Sequence, residues 1–226
     1  GILGGTALGE DGVKGAGSQS IIEEMAPESR NPSDGAQEDA AKAMAPEAST
    51  EALREAILQR EQAAFASAAQ SLRQALQDMP ELAELSKNIL IDQTPEGLRI
   101  QLVDQEGRSM FATGRTEPND RAKLLLRAVA KIINQLPNRV SIAGHTNASA
   151  DGAKPDGDWQ LSAGRAAASR RVLQSAGVDP DRVYQVSGKA SSEPLYPDDP
   201  TLAGNRRIAI VLLREAPVLP PDHGLQ

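Results

Sequence analysis

Several residue types are scarce or missing in this chain of 226 residues. It has no cysteine, which excludes disulfide bonds and cysteine-ligated zinc sites. Aromatic residues make up only 2% of the chain, so a hydrophobic core has to be built from Leu, Ile, Val and Ala. No segment approaches the roughly 18 consecutive apolar residues that a membrane helix needs. The chain starts at Gly1 without a signal peptide, and we expect it to be part of a longer protein.

Charge is unevenly distributed along the chain. The net charge is −7, and residues 1–49 hold nine acidic side chains but only three basic ones. No basic face is available for a nucleic-acid partner. The same segment is rich in Gly, Ala, Ser and Pro, and it cannot bury enough apolar surface to offset its ordering entropy. We therefore predict a flexible acidic linker over residues 1–48, with a transient helix over Ala36–Met44.

The next segment has the pattern of a long helix. Ser49 or Thr50 can serve as an N-cap, and neither Gly nor Pro occurs again before Pro80. Apolar residues follow at helical spacing, namely Leu53, Ile57, Ala64, Ala68, Leu72 and Leu76. This predicts a stalk helix over residues 49–79. Its narrow, Ala-rich stripe suits packing against a partner or a second copy, but equally against its own domain.

Residues 80–215 show the alternation of strands and helices expected of a compact domain. The predicted strands are Asn88–Thr94, Leu98–Val103, Val140–Ala143, Val183–Ser187 and Arg206–Leu213, and the predicted helices are Asp120–Leu136 and Trp159–Ala176. This order predicts an α+β sandwich in which helices cover one face of a mixed β-sheet. Residues 216–226 are rich in Pro, and we expect a frayed tail.

One charged residue lies on the apolar side of the second predicted helix. At 100° per residue, Arg165 falls within the stripe formed by Leu161 and Val172. A partly buried guanidinium stays charged and needs an anion. Either an internal Asp or Glu supplies it, or Arg165 faces a pocket that takes an external carboxylate or phosphate. The polar loop that follows Gly144–Asn147 at a strand end favours a pocket.

Four spaced blocks carry a resemblance to a known family. They are Val-Ser-Ile-Ala-Gly-His-Thr-Asn (140–147), Asp-Trp-Gln-Leu-Ser-Ala-Gly-Arg-Ala (158–166), Val-Ser-Gly (186–188) and Asn-Arg-Arg-Ile (205–208). Together they resemble the signature of OmpA-like peptidoglycan-binding domains, over about residues 80–214. Within that family the chain resembles the B subunits of flagellar motor stators, the MotB family. The closer points are Trp159, the run 168–171, and Gly188-Lys189-Ala190 followed by Pro194-Leu195.

The resemblance implies a ligand and a set of binding residues. The family binds the diaminopimelate of the wall's stem peptide, with an Arg for its carboxylate, here Arg165, and an Asp for its ammonium. The Asp position is Asn147 in this chain, a change worth about 1–2 kcal/mol. The family's Asn ahead of Leu-Ser aligns with Asp158. The implied ligand-binding residues are Thr146, Asn147, Asp158, Leu161, Ser162, Arg165 and Arg206.

The resemblance also implies a role without catalysis. Such a protein anchors the stator to peptidoglycan, pairs with the stator A subunit (MotA) through a membrane helix outside this chain, and forms a homodimer. We accordingly expect the periplasmic part of a single-pass inner-membrane protein, with no cofactor and no metal.

Two other functions stay open. An OmpA-like porin or a Pal-type lipoprotein of the outer membrane would also bind the wall. A wall hydrolase would need a carboxylate pair or a metal with activated water. Only His145 and His223 could supply an imidazole, and no His-Glu-x-x-His or Gly-x-Ser-x-Gly motif occurs. We expect His145 to orient its loop.

Overall fold

The computed structural model describes residues 35–153 and 156–215, and it confirms the predicted order of strands and helices. The helices and strands are α1 (Gly35–Asp78), α2 (Pro80–Ala83), β1 (Ile89–Thr94), β2 (Gly97–Val103), α3 (Asp120–Ile133), β3 (Val140–His145), α4 (Gly157–Ser175), β4 (Val183–Gly188) and β5 (Arg207–Leu213). Short 3₁₀ turns cover Ser86–Asn88, Pro180–Arg182 and Ala203–Asn205.

The five strands form one mixed sheet in the order β1-β2-β5-β3-β4. All neighbouring pairs are antiparallel except β3 and β4, which are parallel and joined by α4. A parallel pair needs such a crossover, whereas β1 and β2 need only the tight turn between Thr94 and Gly97. Because β3 and β4 run in the same direction, their carboxyl ends and the loops that follow them lie at one edge of the sheet.

Alternation along the central strands places their apolar side chains on one face. The buried core contains Leu98, Ile100 and Leu102 from β2 and Ile208, Ile210 and Leu212 from β5. Helices α3 and α4 contribute the opposing layer, which includes Leu125, Val129 and Leu173. Asn119 caps α3, since its side chain accepts a hydrogen bond from the backbone N–H of Ala122 at 3.0 Å. The predicted α+β sandwich with a mixed sheet is therefore the observed fold.

Helix α1 begins earlier than the sequence predicted. Its first residue is Gly35 rather than Ser49, so the transient helix predicted over Ala36–Met44 forms part of one continuous helix with the predicted stalk. The reason is composition, because Ala, Gln, Glu and Lys dominate this stretch and have high helix propensity. The chain divides into two units between Thr50 and Glu51, and this boundary falls within α1. The linker predicted over residues 1–34 and the tail over 216–226 lie outside the described residues.

The second half of α1 belongs to the core of its own domain. Five of its side chains are buried there, namely Phe65, Ala68, Ala69, Leu72 and Leu76. Leu53 and Ile57, also in the predicted stripe, are exposed. The sequence left open whether the helix packs against a partner or second copy, or against its own domain. Over this half, α1 packs on its own domain. Within the described ranges, no helix has the length and apolar character needed to cross a membrane.

Candidate functional site

Two glycines allow α4 to pack closely on the sheet. A Cβ atom at Gly144 of β3 would collide with the carbonyl oxygen of Ser162, and one at Gly188 of β4 would lie 2.7 Å from the carbonyl oxygen of Trp159. Only a residue without a side chain fits at such an approach. The first turns of α4 are therefore held against the carboxyl ends of β3 and β4, next to the loops that follow these strands.

The loop after β3 is held by backbone hydrogen bonds to the long loop between β4 and β5. The N–H of Thr146 donates to the carbonyl of Ala190 at 2.8 Å, and that of Ala148 to the carbonyl of Pro200 at 2.9 Å. Ala190 has a positive φ of 47°, which is uncommon for a residue other than Gly. Its N–H donates to the Oγ of Ser162 at 3.1 Å, so α4 helps to hold this conformation.

These elements surround an open cleft of about 880 Å³. Six of the seven predicted ligand-binding residues line it, namely Thr146, Asn147, Asp158, Leu161, Arg165 and Arg206. The polar loop that the sequence analysis associated with a pocket supplies residues 148–151 of the lining. The sequence did not indicate the other walls, which include Phe111, Thr113, Gly114 and Thr201. Residues from four separate parts of the chain thus meet at one edge of the sheet.

Arg165 is the buried cation of this cleft. It is 5% exposed, its Nε donates to the carbonyl of Arg115 at 2.9 Å, and Nη2 lies 3.4 Å from the carbonyl of Ala112. Its guanidinium carbon lies 4.9 Å from the centroid of the Phe111 ring, a cation–π distance. The ion pairs found between described residues do not include Arg165. Of the two predicted partners, an internal carboxylate or an external anion, this arrangement favours an external anion.

The electrostatic surroundings of Arg165 agree with this interpretation. Burial lowers the pKa of Arg165 most strongly, and the cation of Arg206 lowers it further, while Asp104 and Asp158 raise it. Asp104 is already engaged, because its Oδ2 accepts from the Nε of Arg206 at 3.0 Å and its Oδ1 from the N–H of Met110 at 2.7 Å. The carboxylates near Arg165 therefore compensate only part of its desolvation, and an anionic ligand would restore the rest.

Thr146 and Asn147 supply uncharged polar groups to the same cleft. The side-chain nitrogen of Asn147 donates to the carbonyl of Thr201 at 2.9 Å and, less closely, to that of Ala148 at 3.3 Å. Its Oδ1 is left as an acceptor. The buried Oγ1 of Thr146 has no hydrogen-bond partner among the described residues. The Oδ1 of Asn147 can therefore receive a hydrogen bond from a ligand in the cleft, whereas the Oγ1 of Thr146 is closed off from it.

Ser162 is the exception among the predicted binding residues. It is fully buried and does not line the cleft, since its Oγ donates to the carbonyl of Trp159 at 3.0 Å and accepts from the N–H of Ala190. The resemblance implied Ser162 as a binding residue, whereas in the structure it lies on the buried face of α4 together with Ala166, Ser169 and Leu173. Buried serines fit there because each hydroxyl bonds to a backbone carbonyl.

His145 lies beneath the loop and outside the cleft lining. It is 4% exposed, and its Nδ1 has no hydrogen-bond partner among the described residues. Burial, followed by the positive charges of Arg207 and Lys189, lowers its pKa from 6.5 to about 4. The expected orienting bond is therefore absent at Nδ1, and the ring is a neutral packed group at neutral pH.

Comparisons with known proteins agree with this geometry. Residues 110–207 match the OmpA family. The chain is 40% identical to motility protein B of Escherichia coli (strain K12) over 146 residues, which are 64% of this chain and 47% of that protein. The chain thus spans about half the length of this curated relative. The crystal structure of a MotB like protein from Desulfovibrio vulgaris has the same fold, with a TM-score of 0.57 and 20% identity, covering 72% of this chain and 99% of the other.

Proposed function

We propose, from the premise that this chain is a homologue of motility protein B and carries an OmpA-family domain over residues 110–207, that its cleft binds peptidoglycan and anchors a flagellar stator to the cell wall. The torque of the motor then turns the rotor, because the stator is held by the wall. The protein acts by binding alone, without a cofactor or a catalytic residue.

The state of Arg165 is the observation that carries this proposal. A guanidinium that is buried and charged, and whose hydrogen bonds to described residues go to two backbone carbonyls, provides a site for a carboxylate. Its planar fork matches a carboxylate in two parallel hydrogen bonds. The stem peptides of peptidoglycan offer such carboxylates, and the cleft is open enough to admit a peptide that is still attached to the insoluble wall.

The other cleft residues have complementary roles in this proposal. Arg206 adds positive charge beside Arg165, although its Nε is held by Asp104. In this proposal Asn147 accepts a hydrogen bond from the peptide and Leu161 contacts its apolar part. Thr146 lines the cleft beside Asn147, and Asp158 supplies a carboxylate from the first turn of α4. Ser162 keeps the loop in place from behind and does not touch the ligand.

The rest of the assembly follows from the similarity to motility protein B. We place this chain in the periplasm, as part of a single-pass inner-membrane protein whose membrane helix pairs with the stator A subunit, MotA. Residues 80–215, with the second half of α1 packed on them, form the wall-binding domain, which we propose acts as a homodimer, and α1 connects it to the membrane part. Purification of the full-length protein together with its A subunit tests this placement. An outer-membrane porin or lipoprotein would not retain that subunit.

Co-sedimentation with purified peptidoglycan sacculi tests the wall-binding proposal. We expect retention that saturates and that a soluble diaminopimelate-containing tripeptide reduces in a dose-dependent manner. Chitin is the matched control, since it offers an insoluble glycan without stem peptides. Equal retention on chitin, or no effect of the peptide, would overturn the proposal.

The hydrolase alternative is tested with the same material. Sacculi are incubated with the protein, and the supernatant is examined for released muropeptides by chromatography, with lysozyme as the positive control. We expect no release above that of buffer alone. Release that depends on the protein would show that the domain cleaves the wall.

A further inference from the structure

The orientation of the Asn147 amide is fixed by its surroundings. Its Nδ2 faces two backbone carbonyl oxygens, those of Thr201 at 2.9 Å and Ala148 at 3.3 Å. A carbonyl oxygen can only accept, so the amide cannot rotate to place Oδ1 there without setting two acceptors against each other. Asn147 therefore presents its uncharged oxygen, and not its N–H groups, as the free end of the side chain.

The same contact disfavours an aspartate at this position. A carboxylate of equal size would bring an oxygen close to the carbonyl of Thr201 with no proton between them. The loop that carries Thr201 is itself restrained, because the N–H of Ala148 donates to the carbonyl of Pro200 at 2.9 Å. An Asn thus suits this pair of loops, and the charge at residue 147 is zero for a structural reason.

The remaining charges of the cleft are distributed on other elements. Arg165 and Arg206 are the cations, with Arg206 paired to Asp104. Asp158 lies at the start of α4, and Asp151 is exposed with its Oδ1 accepting from the N–H of Ala153 at 3.0 Å. Beyond Asn147 the loop continues with Ala148, Ser149 and Ala150, all of which line the cleft without charge.

We infer that the Oδ1 of Asn147 accepts a hydrogen bond from an uncharged N–H on the ligand's side-chain nitrogen, so that the cleft takes stem peptides whose side-chain amine is acylated as readily as those whose amine is free. This inference rests on the proposed function and specifies its ligand. When the ligand's side-chain amine is acylated, its amide N–H donates one hydrogen bond to the Oδ1 of Asn147. This amide carries no charge and therefore needs no carboxylate at position 147. Acylated amines are the form found in cross-linked wall.

The test compares two soluble ligands, a disaccharide tripeptide ending in diaminopimelate and the same molecule with its side-chain amine acetylated. A thermal melt first shows that the wild type and Asn147→Asp are both folded. Dissociation constants of the two ligands are then measured at pH 7 for each protein. For the wild type we expect constants that differ by less than about threefold. For Asn147→Asp we expect a preference for the free amine that rises by about tenfold or more, whereas a merely structural role of residue 147 would change both constants equally.

The outcomes distinguish a failure of this inference from a failure of the proposed peptidoglycan binding. A wild type that prefers the free amine by tenfold or more would overturn the inference and leave wall binding intact, since a carboxylate such as Asp158 would then hold an ammonium. An unchanged ratio in Asn147→Asp would also overturn it. If neither ligand binds but sacculi still retain the protein, the inference fails alone. If sacculi do not retain it either, the proposed function fails as well.

Discussion

The guanidinium carbon of Arg165 lies 4.9 Å from the centroid of the Phe111 ring, at the base of the cleft. Phe111 is 7% exposed, so this cation–π contact is largely shielded from water. The ring holds the guanidinium from one side while the carbonyls of Arg115 and Ala112 hold its nitrogens. The side of Arg165 that faces the cleft stays available.

Replacing Phe111 should therefore weaken binding through the position of Arg165. Phe111→Leu keeps an apolar side chain but removes the π face, and we expect affinity for sacculi to fall by about 1 kcal/mol, roughly fivefold. Phe65→Leu is the matched control, because Phe65 lies under another guanidinium, that of Arg214 at 5.3 Å, away from the cleft. The control should lower the melting temperature without changing affinity. An equal affinity loss in both variants would contradict the account.

The Ser162 hydroxyl should matter for loop geometry and not for direct contact. Ser162→Ala leaves the buried N–H of Ala190 without its acceptor, and we expect a loss of about 1–3 kcal/mol in the free energy of unfolding. Ser169→Ala, which removes only a bond to the carbonyl of Arg165, should cost less. Chemical denaturation of both variants provides the comparison. A Ser162→Ala protein as stable as Ser169→Ala would argue against a role of the Ser162 hydroxyl in holding the loop at Ala190.

The sequence allowed the fold to be predicted because its signals are local. Apolar periodicity, the Asn119 cap and the turn at Gly97 each lie within a few residues, and strand boundaries came within one or two residues of those observed. Arg165 was identified for the same reason, since its place on the helix depends only on α4 itself. The four sequence blocks that resemble OmpA-like domains then allowed residues of β3, α4 and β5 to be assigned to one site.

What the sequence could not supply depends on contacts between distant segments. The bond from Asn147 to Thr201 spans 54 positions, and nothing near Thr201 marks it. The burial of Ser162 and Ser169 was missed because periodicity counts Ser as polar, although each hydroxyl bonds locally. Phe111 is part of the buried core, and its contact with Arg165 depends on the position of α4, which no local pattern in the sequence gives.

Stability should depend on pH through His145. Its pKa is about 4 in the folded protein and 6.5 when unfolded, so between these values the unfolded state binds more protons. Stability is then complete above pH 6.5 and is lost as pH falls toward 4, by at most about 1.4 kcal/mol per pH unit. His145→Gln should reduce that slope, as measured by denaturation from pH 7 to 4. His223 is present in both proteins and cancels. A slope unaffected by the substitution would contradict this assignment.

Helix α1 should be held on the domain by Glu61. Its Oε1 accepts from the Nδ2 of Asn138 at 3.0 Å and from the N–H of Glu215 at 3.1 Å, and its Oε2 lies 3.4 Å from Nη1 of the nearly buried Arg214. Glu61→Ala leaves that cation without its partner, and we expect a loss of about 2–3 kcal/mol.

Hydrogen exchange shows where this loss appears. In Glu61→Ala the amides of α1 around Phe65 should exchange faster before those of the sheet do, because the contact joins the helix to the end of β5. Glu55→Ala is the control, as Glu55 is exposed and bonds only to Gln59 among the described residues. Exchange that rises uniformly in the whole domain would mean that α1 does not separate independently.

Retention of Arg165→Ala on purified sacculi tests the central claim most directly. The wild type and Arg171→Ala serve as references, since Arg171 lies on the same helix but is exposed and paired with Glu117. If the cleft binds a wall carboxylate through Arg165, Arg165→Ala should bind at least about tenfold more weakly, a change of about 1.4 kcal/mol or more, while Arg171→Ala binds like the wild type. A folded Arg165→Ala protein retained as well as the wild type would contradict the account and place the wall contact elsewhere.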